Sequence, residues 1–111
     1  MVSGGGIYIA SYASPGNGHL TLTNTVIADN AVQVGTPGTT SLTSGAGMGI
    51  QAVTVDIFHC TFDNNQFITE GKAGQAITVV GSGGPTGVAG VVNIWYTIIS
   101  DNVNSAWPND T

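Results

Sequence analysis

The chain repeats one stretch of sequence three times, as Leu20-Thr-Leu-Thr-Asn-Thr-Val-Ile-Ala-Asp-Asn30, Val55-Asp-Ile-Phe-His-Cys-Thr-Phe-Asp-Asn-Asn65 and Val92-Asn-Ile-Trp-Tyr-Thr-Ile-Ile-Ser-Asp-Asn102. The copies align without a gap, at offsets of 35 residues (from 20 to 55) and 37 residues (from 55 to 92). Three columns stay apolar and the last column is always Asn; the apolar columns are Leu20/Val55/Val92, Leu22/Ile57/Ile94 and Ile27/Phe62/Ile99. This repeat predicts stacked copies of one supersecondary unit.

Each copy has the pattern of a strand followed by a corner. Leu20 and Leu22 alternate with threonines, which is the period-two pattern of a half-buried strand. Ile27 lies an odd number of positions beyond Leu22, so both can point inward only if the chain bends near residues 23–25. A hairpin is disfavoured because no Asn-Gly or Asp-Gly loop recurs, and the many glycines and β-branched residues disfavour helices.

A weaker match precedes each copy, as Gly6-Ile-Tyr-Ile9, Gly47-Met-Gly-Ile50 and Ala76-Ile-Thr-Val79. The unit therefore holds two strand segments, and the stretches between them are rich in Gly, Pro, Ser and Thr and are predicted as loops. We predict an all-β fold, a β-solenoid of about three rungs, each rung pairing in parallel with the next at roughly 4.8 Å. One domain spans 1–111, with rungs at approximately 4–44, 45–74 and 75–111.

The repeated unit resembles the repeats of right-handed parallel β-helix proteins, the pectate-lyase-like and polymorphic outer-membrane-type group. The resemblance covers nearly the whole chain, although the Gly4-Gly-Gly6 start becomes Gly45-Ala-Gly47 in the second copy. It implies an Asn ladder inside one turn, loops that carry function, and a secreted or cell-surface location, as is usual in these families. By position, the ladder residues are Asn30, Asn65 and Asn102.

Charge and composition narrow the classes of partner. One cation, Lys72, stands against six anions, for a net charge of −5. Nucleic-acid binding needs clustered Lys and Arg, so no nucleic-acid partner is predicted. No apolar run approaches the roughly 20 residues of a spanning helix, so no membrane insertion is predicted. The start at Met1 lacks the pattern of a signal peptide, and a single cysteine leaves the compartment open.

Carboxylates are the catalytic candidates, because glycan-cleaving members of the resembling families use acidic residues on one face. Asp29 and Asp101 share a column two rungs apart, roughly 9.6 Å from the strand spacing, and Asp63 lies nearby in the middle copy. Inverting glycosidases hold their acid and base about 6.5–9.5 Å apart, so this separation is marginal. The favoured alternative is a solvated acidic turn. A lyase is disfavoured further, because Lys72 is the only cation.

No metal site and no cofactor are predicted. His19 and His59 fall in different columns, whereas metal sites need several ligands at matched spacing. His59 beside Cys60 could form a base and nucleophile only if the corner lies between them. Cys60 aligns with Thr25 and Thr97, where packing of a small side chain is the simpler explanation.

The outward-facing columns hold the binding candidates. By parity, Phe58 and Trp95 lie one rung apart on the outer face, beside the polar Asp56 and Asn93. Exposed aromatic rings next to polar groups suit stacking against a sugar or contact with a protein. The alternative is that a loop folds over them.

The two ends of the stack are the remaining feature. Three rungs leave strand edges and core open at both ends, and neither terminus looks like a sufficient cap. We expect either a homo-oligomer formed through the ends or the outer face, or a piece of a longer β-helix. The predicted function is a non-enzymatic structural or binding module for a glycan or a protein. The alternative is a minimal or remnant carbohydrate-active enzyme.

Overall fold

The computed structural model describes residues 2–11, 17–32, 43–67, 76–81 and 87–104. Lys72 and most of the predicted loops lie outside these residues. The described residues form strands and turns without a helix, which confirms the all-β prediction. The strands are β1 Val2–Gly4, β2 Ile7–Ala10, β3 Gly18–Thr23, β4 Val26–Ala28, β5 Ala31–Val32, β6 Thr43–Gly45, β7 Met48–Gln51, β8 Val53–Phe58, β9 Thr61–Asp63, β10 Gln66–Phe67, β11 Ile77–Val80, β12 Val91–Trp95, β13 Ile98–Ser100 and β14 Val103–Asn104.

Every strand pairs in parallel with its counterpart in the neighbouring repeat. We call β1–β5, β6–β10 and β11–β14 the first, second and third rungs. Four three-stranded sheets place the second-rung strand in the middle, in the orders β2-β7-β11, β3-β8-β12, β4-β9-β13 and β5-β10-β14, and β1 pairs with β6. The observed register matches the sequence columns, for example Leu22 with Ile57 and Ile57 with Ile94.

Burial alternates along β3 and β8, as the sequence pattern requires. In β8 the residues Val53, Val55 and Ile57 are buried, and the residues between them are half-buried on the other face. Phe62 of β9 is buried against the same cluster, and its ring lies over Gly47. A Cβ on Gly47 would stand 3.1 Å from Phe62 Cδ1 and 2.6 Å from the Ala76 carbonyl oxygen, so this position has room only for Gly.

Two left-handed corners recur in all three rungs, and the second rung has a further left-handed residue, Ala52, between β7 and β8 with φ of 55°. The first corner holds Asn24, His59 and Tyr96, with φ of 50°, 51° and 48°. The second holds Asp29, Asn64 and Asp101, with φ of 57°, 49° and 49°. Asn and Asp tolerate this conformation best because their short polar side chains bond locally.

The two outer rungs are less buried than the middle one. In the column that points inward from β4, β9 and β13, Ile27 is 6% exposed, Phe62 is 0% exposed and Ile99 is 50% exposed. Ile94, which points inward from β12, is also exposed. The apolar interior is therefore open beside the third rung.

The structure corrects the predicted division into two strand segments per unit. The repeated stretch splits at its first corner into two strands, which are β3 and β4 in the first rung. A short strand, β5, follows the second corner, and another, β1, precedes the turn at Gly5 and Gly6. His19, predicted in a loop, lies in β3, and Ala31 and Val32, also predicted in a loop, form β5. The second rung also begins earlier than residue 45, because β6 starts at Thr43 and pairs with β1.

Candidate binding face

Asn30, Asn65 and Asn102 form a hydrogen-bonded chain along the stack. Asn30 Nδ2 donates to Asn65 Oδ1 at 2.9 Å, and Asn65 Nδ2 donates to Asn102 Oδ1 at 2.8 Å. Backbone N–H groups of Asn30 and Asn65 also donate to the same oxygens. Asn65 is fully buried, so these bonds satisfy polar groups that water does not reach. Their role is to hold the second corner together.

The outer surface of the sheet β3-β8-β12 carries stacked aromatic rings. Phe58 and Trp95 are register neighbours, and their ring centroids lie 4.5 Å apart with an angle of 4° between the planes. Such a pair contributes about 0.5–1.5 kcal/mol beyond its buried area. Because the rings stack along the rung direction, each covers one face of the other. The uncovered face of Trp95 therefore points away from Phe58, beyond the third rung.

A second ring pair, which the sequence analysis did not identify as a stack, lies at the adjacent corner. The rings of His59 and Tyr96 have centroids 5.1 Å apart and planes within 9°. Tyr96 is 81% exposed. Its backbone is left-handed, a conformation that is rare for a bulky residue and costs about 1–2 kcal/mol. The signal was readable in the sequence, because Phe58-His59 and Trp95-Tyr96 occupy the same two columns.

Asp56 connects three strands on this surface. Asn93 Nδ2 donates to Asp56 Oδ1 at 2.8 Å, and His19 Nε2 lies 2.7 Å from Asp56 Oδ2. The Asn93 hydrogen bond holds the pKa of Asp56 below its ordinary value. Partial desolvation raises this pKa, and the hydrogen bond and charge of His19 lower it further. His19 was considered only as a metal ligand in the sequence analysis. Polar groups therefore line the surface beside the Phe58 and Trp95 rings.

Replacing Asn93 by Ala should raise the pKa of Asp56 toward its ordinary value, since the largest cause of its depression is removed. Because the pKa of Asp56 is lower in the folded chain than in the unfolded one, its carboxylate stabilises the fold at pH values above the ordinary pKa. This stabilisation is lost as the pH falls through the folded-state pKa. Carboxyl ¹³C NMR titration measures the shift. Ser100→Ala, which removes a hydrogen bond to Asp63 on another sheet, is the control. An unchanged Asp56 titration in Asn93→Ala would contradict the assignment.

The carboxylates considered for catalysis lie at or beside the second corner. Asp29 Oδ1 accepts a hydrogen bond from Asn64 Nδ2 at 2.7 Å, and Asp63 Oδ1 accepts one from Ser100 Oγ at 2.6 Å. Asp101 is exposed at the same corner as Asp29, with Asn64 of the middle rung between them. The arrangement is that of hydrogen-bonded corners.

Cys60 is packed inside and does not meet His59. Its thiol is buried and donates to the Phe58 carbonyl oxygen at 3.2 Å, whereas the His59 ring is exposed and stacks on Tyr96. In the described part of the chain, no cluster of three or more His, Cys, Asp or Glu side chains is arranged to hold a metal ion. The same residues contain no helix with the length and apolar character needed to cross a bilayer.

Comparison with known proteins finds no matching family model, no matching curated protein and no matching solved structure. The resemblance to β-helix repeats therefore rests on the repeated residues themselves. Function must be argued from the surface of this chain.

Proposed function

We propose that the chain is a right-handed parallel β-helix that works as a non-catalytic binding module. Parallel pairing of all strands with the next repeat, two left-handed corners per rung and the chain of Asn side chains support this fold. The observation that carries the function is the pair of ring stacks beside a polar network on one outer surface.

The ligand that fits this surface best is a glycan. A sugar ring stacks its apolar face on an aromatic ring while its hydroxyl groups need hydrogen-bond partners at the edge. Trp95 offers one ring face that Phe58 does not cover, and Tyr96 offers an exposed ring next to it. Asn93 and Asp56 stand on the same surface, two positions along the strands from the Trp95 and Phe58 rings. A protein ligand is the other class that this surface could contact.

Trp95→Ala should weaken glycan binding at least about tenfold, because a lost contact of about 1.4 kcal/mol corresponds to a factor of ten in affinity. A glycan array identifies the ligand, and calorimetry on the best oligosaccharide gives the affinity. Tyr8→Ala is the matched control, since it removes an exposed aromatic ring from a different sheet, β2-β7-β11. If Trp95→Ala binds the oligosaccharide as tightly as the unsubstituted chain, this surface is not the glycan site.

The alternative, a minimal or remnant carbohydrate-active enzyme, has a separate readout. Polygalacturonate and the array oligosaccharides are incubated with the protein and assayed for new reducing ends. Turnover that disappears in Asp101→Asn would establish the alternative and replace the binding proposal. Binding without turnover supports the module.

Self-association is the second part of the proposal. The inward-pointing Ile94 and Ile99 of the third rung are exposed, and exposed apolar side chains beside open strand edges favour association. Light scattering over a range of protein concentrations tests it. A monomer that persists at every concentration would rule it out.

A further inference from the structure

We propose that copies of this chain stack head to tail, with the third-rung end of one copy seated on the first-rung end of the next. The third-rung end is the open side of β11, β12 and β13, and the first-rung end is the open side of β2, β3 and β4. This inference rests on the self-association proposed above and names its geometry. The partner is a second copy of the same chain.

The strand edges at the two ends are complementary. Within the described residues, β2, β3 and β4 pair on one side only, with β7, β8 and β9, and β11, β12 and β13 pair on one side only, with the same middle strands. All these pairings are parallel. A third-rung edge therefore meets a first-rung edge in the same parallel register that the rungs use inside the chain. In this register Ile94 pairs with the half-buried Leu22 of the next copy, and Ile99 pairs with Ile27, which is already buried in its own chain, so the strand edges carry the contact.

The Asn chain has a direction, and its two ends also complement each other. Donors of Asn30 and Asn65 point toward the third rung, and the acceptor Oδ1 points toward the first. Asn65 Nδ2 donates both to Asn102 Oδ1 and to the Ile27 carbonyl oxygen. Asn102 Nδ2 likewise donates to the Phe62 carbonyl oxygen, but its second hydrogen bond goes back to its own corner, to the Ser100 carbonyl oxygen at 2.7 Å.

At the opposite end, Asn30 Oδ1 accepts from no donor among the described residues. In a head-to-tail stack, Asn102 Nδ2 turns from the Ser100 carbonyl oxygen to Asn30 Oδ1 of the next copy. Asn30 Nδ2 of that next copy in turn donates to the Ile99 carbonyl oxygen of the first copy. This bond is equivalent to the one that Asn65 Nδ2 donates to the Ile27 carbonyl oxygen within the chain. The interface thus completes one more step of a pattern that the chain already contains twice.

A symmetric dimer is disfavoured by the same features. Two third-rung ends face to face would place Asn102 donors against Asn102 donors and leave both Asn30 acceptors unused. A head-to-tail contact is heterologous, and a heterologous contact that does not close into a ring repeats into a filament. The proposal therefore predicts open-ended assemblies whose length grows with protein concentration.

One pair of like charges opposes the stack. Asp101 of one copy would face Asp29 of the next, at roughly the 4.8 Å spacing of strands. Inside the chain, the neighbour of Asp29 in this column is Asn64 on its other side, which donates to it at 2.7 Å. Asp101→Asn replaces the like charge with an amide that can donate to Asp29 of the next copy, so it should lower the concentration needed for assembly at least tenfold. Added salt should act in the same direction, because it screens the repulsion.

The side chains at the third-rung end provide the first test, with assembly measured by sedimentation velocity across concentrations. Ile99→Lys places a charge on the open end and should raise the assembly concentration more than tenfold. Ile98→Lys is the matched control, since Ile98 is the neighbouring residue of β13 and points outward; it loses only the outward pair with Val26 of the next copy and should change assembly much less than Ile99→Lys. Circular dichroism establishes that both variants fold. Equal assembly of the two variants would overturn the proposal.

Disulfide crosslinking determines the polarity of the contact. Val26 and Ile98 belong to one outward column and are 69% and 62% exposed, so Cys substitutions there leave the interior intact. In a head-to-tail stack, Val26 of one copy lies roughly 4.8 Å from Ile98 of the next, within the Cα separation of about 4.4–6.8 Å that a disulfide bridges. Cys60 is buried and serves as an unreactive background.

Under mild oxidation, Val26→Cys alone and Ile98→Cys alone should each stay uncrosslinked. Their mixture should give a covalent dimer, and the double variant should give a ladder of multimers. Assembly accompanied by a dimer of Ile98→Cys alone would overturn the head-to-tail geometry while leaving self-association standing. A protein that sediments as a monomer at every concentration would overturn both. Thr23 of the next copy would lie against the face of Trp95 proposed for the sugar, so glycan binding is measured below the assembly concentration, where a monomer that binds the glycan separates the two proposals.

Discussion

Asn65→Ala should lower the free energy of unfolding by about 3–5 kcal/mol, because several buried polar groups lose their partners together and each costs about 1–3 kcal/mol. The backbone and side-chain N–H groups of Asn30 lose their acceptor, and the Ile27 carbonyl oxygen loses the Asn65 Nδ2 donor. Asn102 Oδ1 loses one of its two donors and keeps the backbone N–H of residue 65. The loss is a large part of the roughly 5–15 kcal/mol that stabilises a domain. Urea denaturation followed by circular dichroism measures it.

Asn30→Ala is the matched control for this substitution. Asn30 is half-buried at the end of the chain of Asn side chains, so water can replace the bonds that it loses, and we expect a cost of about 1 kcal/mol. If Asn65→Ala and Asn30→Ala destabilise the protein equally, the buried hydrogen bonds of the middle rung do not stabilise the fold more than the half-buried ones at the end.

The repeat predicted the buried side of this protein well because burial imposes the same requirement on every rung. Leu22, Ile57 and Ile94 fell into one column by spacing alone, and they are register neighbours in the structure. The corner near residues 23–25 followed from parity, since Leu22 and Ile27 can both face inward only across a bend. The bend lies at Asn24, where φ is 50°.

The outer surface was less predictable where a contact runs diagonally between columns. His19 and Asp56 belong to different columns, so a comparison within columns could not pair them. They lie on the same face of adjacent strands, two positions apart in register, which long side chains can bridge. The left-handed backbone of Tyr96 was not predicted either. Its counterpart in the first rung is Asn24, a residue for which that conformation is ordinary, whereas Tyr rarely adopts it.

The openness of the third rung was expected from the number of rungs, but its asymmetry was not. Ile99 is half exposed, whereas Ile27 of the same column at the other end is buried. A count of rungs treats the two ends as equal.

Phe62→Ala should destabilise the protein by about 3–5 kcal/mol, the usual cost of removing a buried aromatic ring from a core. Ile99→Ala, at the third-rung position of the same column, should cost only about 1 kcal/mol in dilute solution, because half of that side chain is already in contact with water. Thermal and urea unfolding of both variants provide the comparison. A dilute-solution cost for Ile99→Ala as large as that for Phe62→Ala would mean that the third rung is covered.

The same pair of variants links stability to assembly. If a second copy covers the third-rung end, Ile99 becomes an interior residue like Phe62, and its replacement should cost more as the protein concentration rises through the assembly range. The cost of Phe62→Ala should not change in this way, because its surroundings are complete within one copy. Unfolding measured at several concentrations therefore separates an apolar end that stays in water from one that another copy covers.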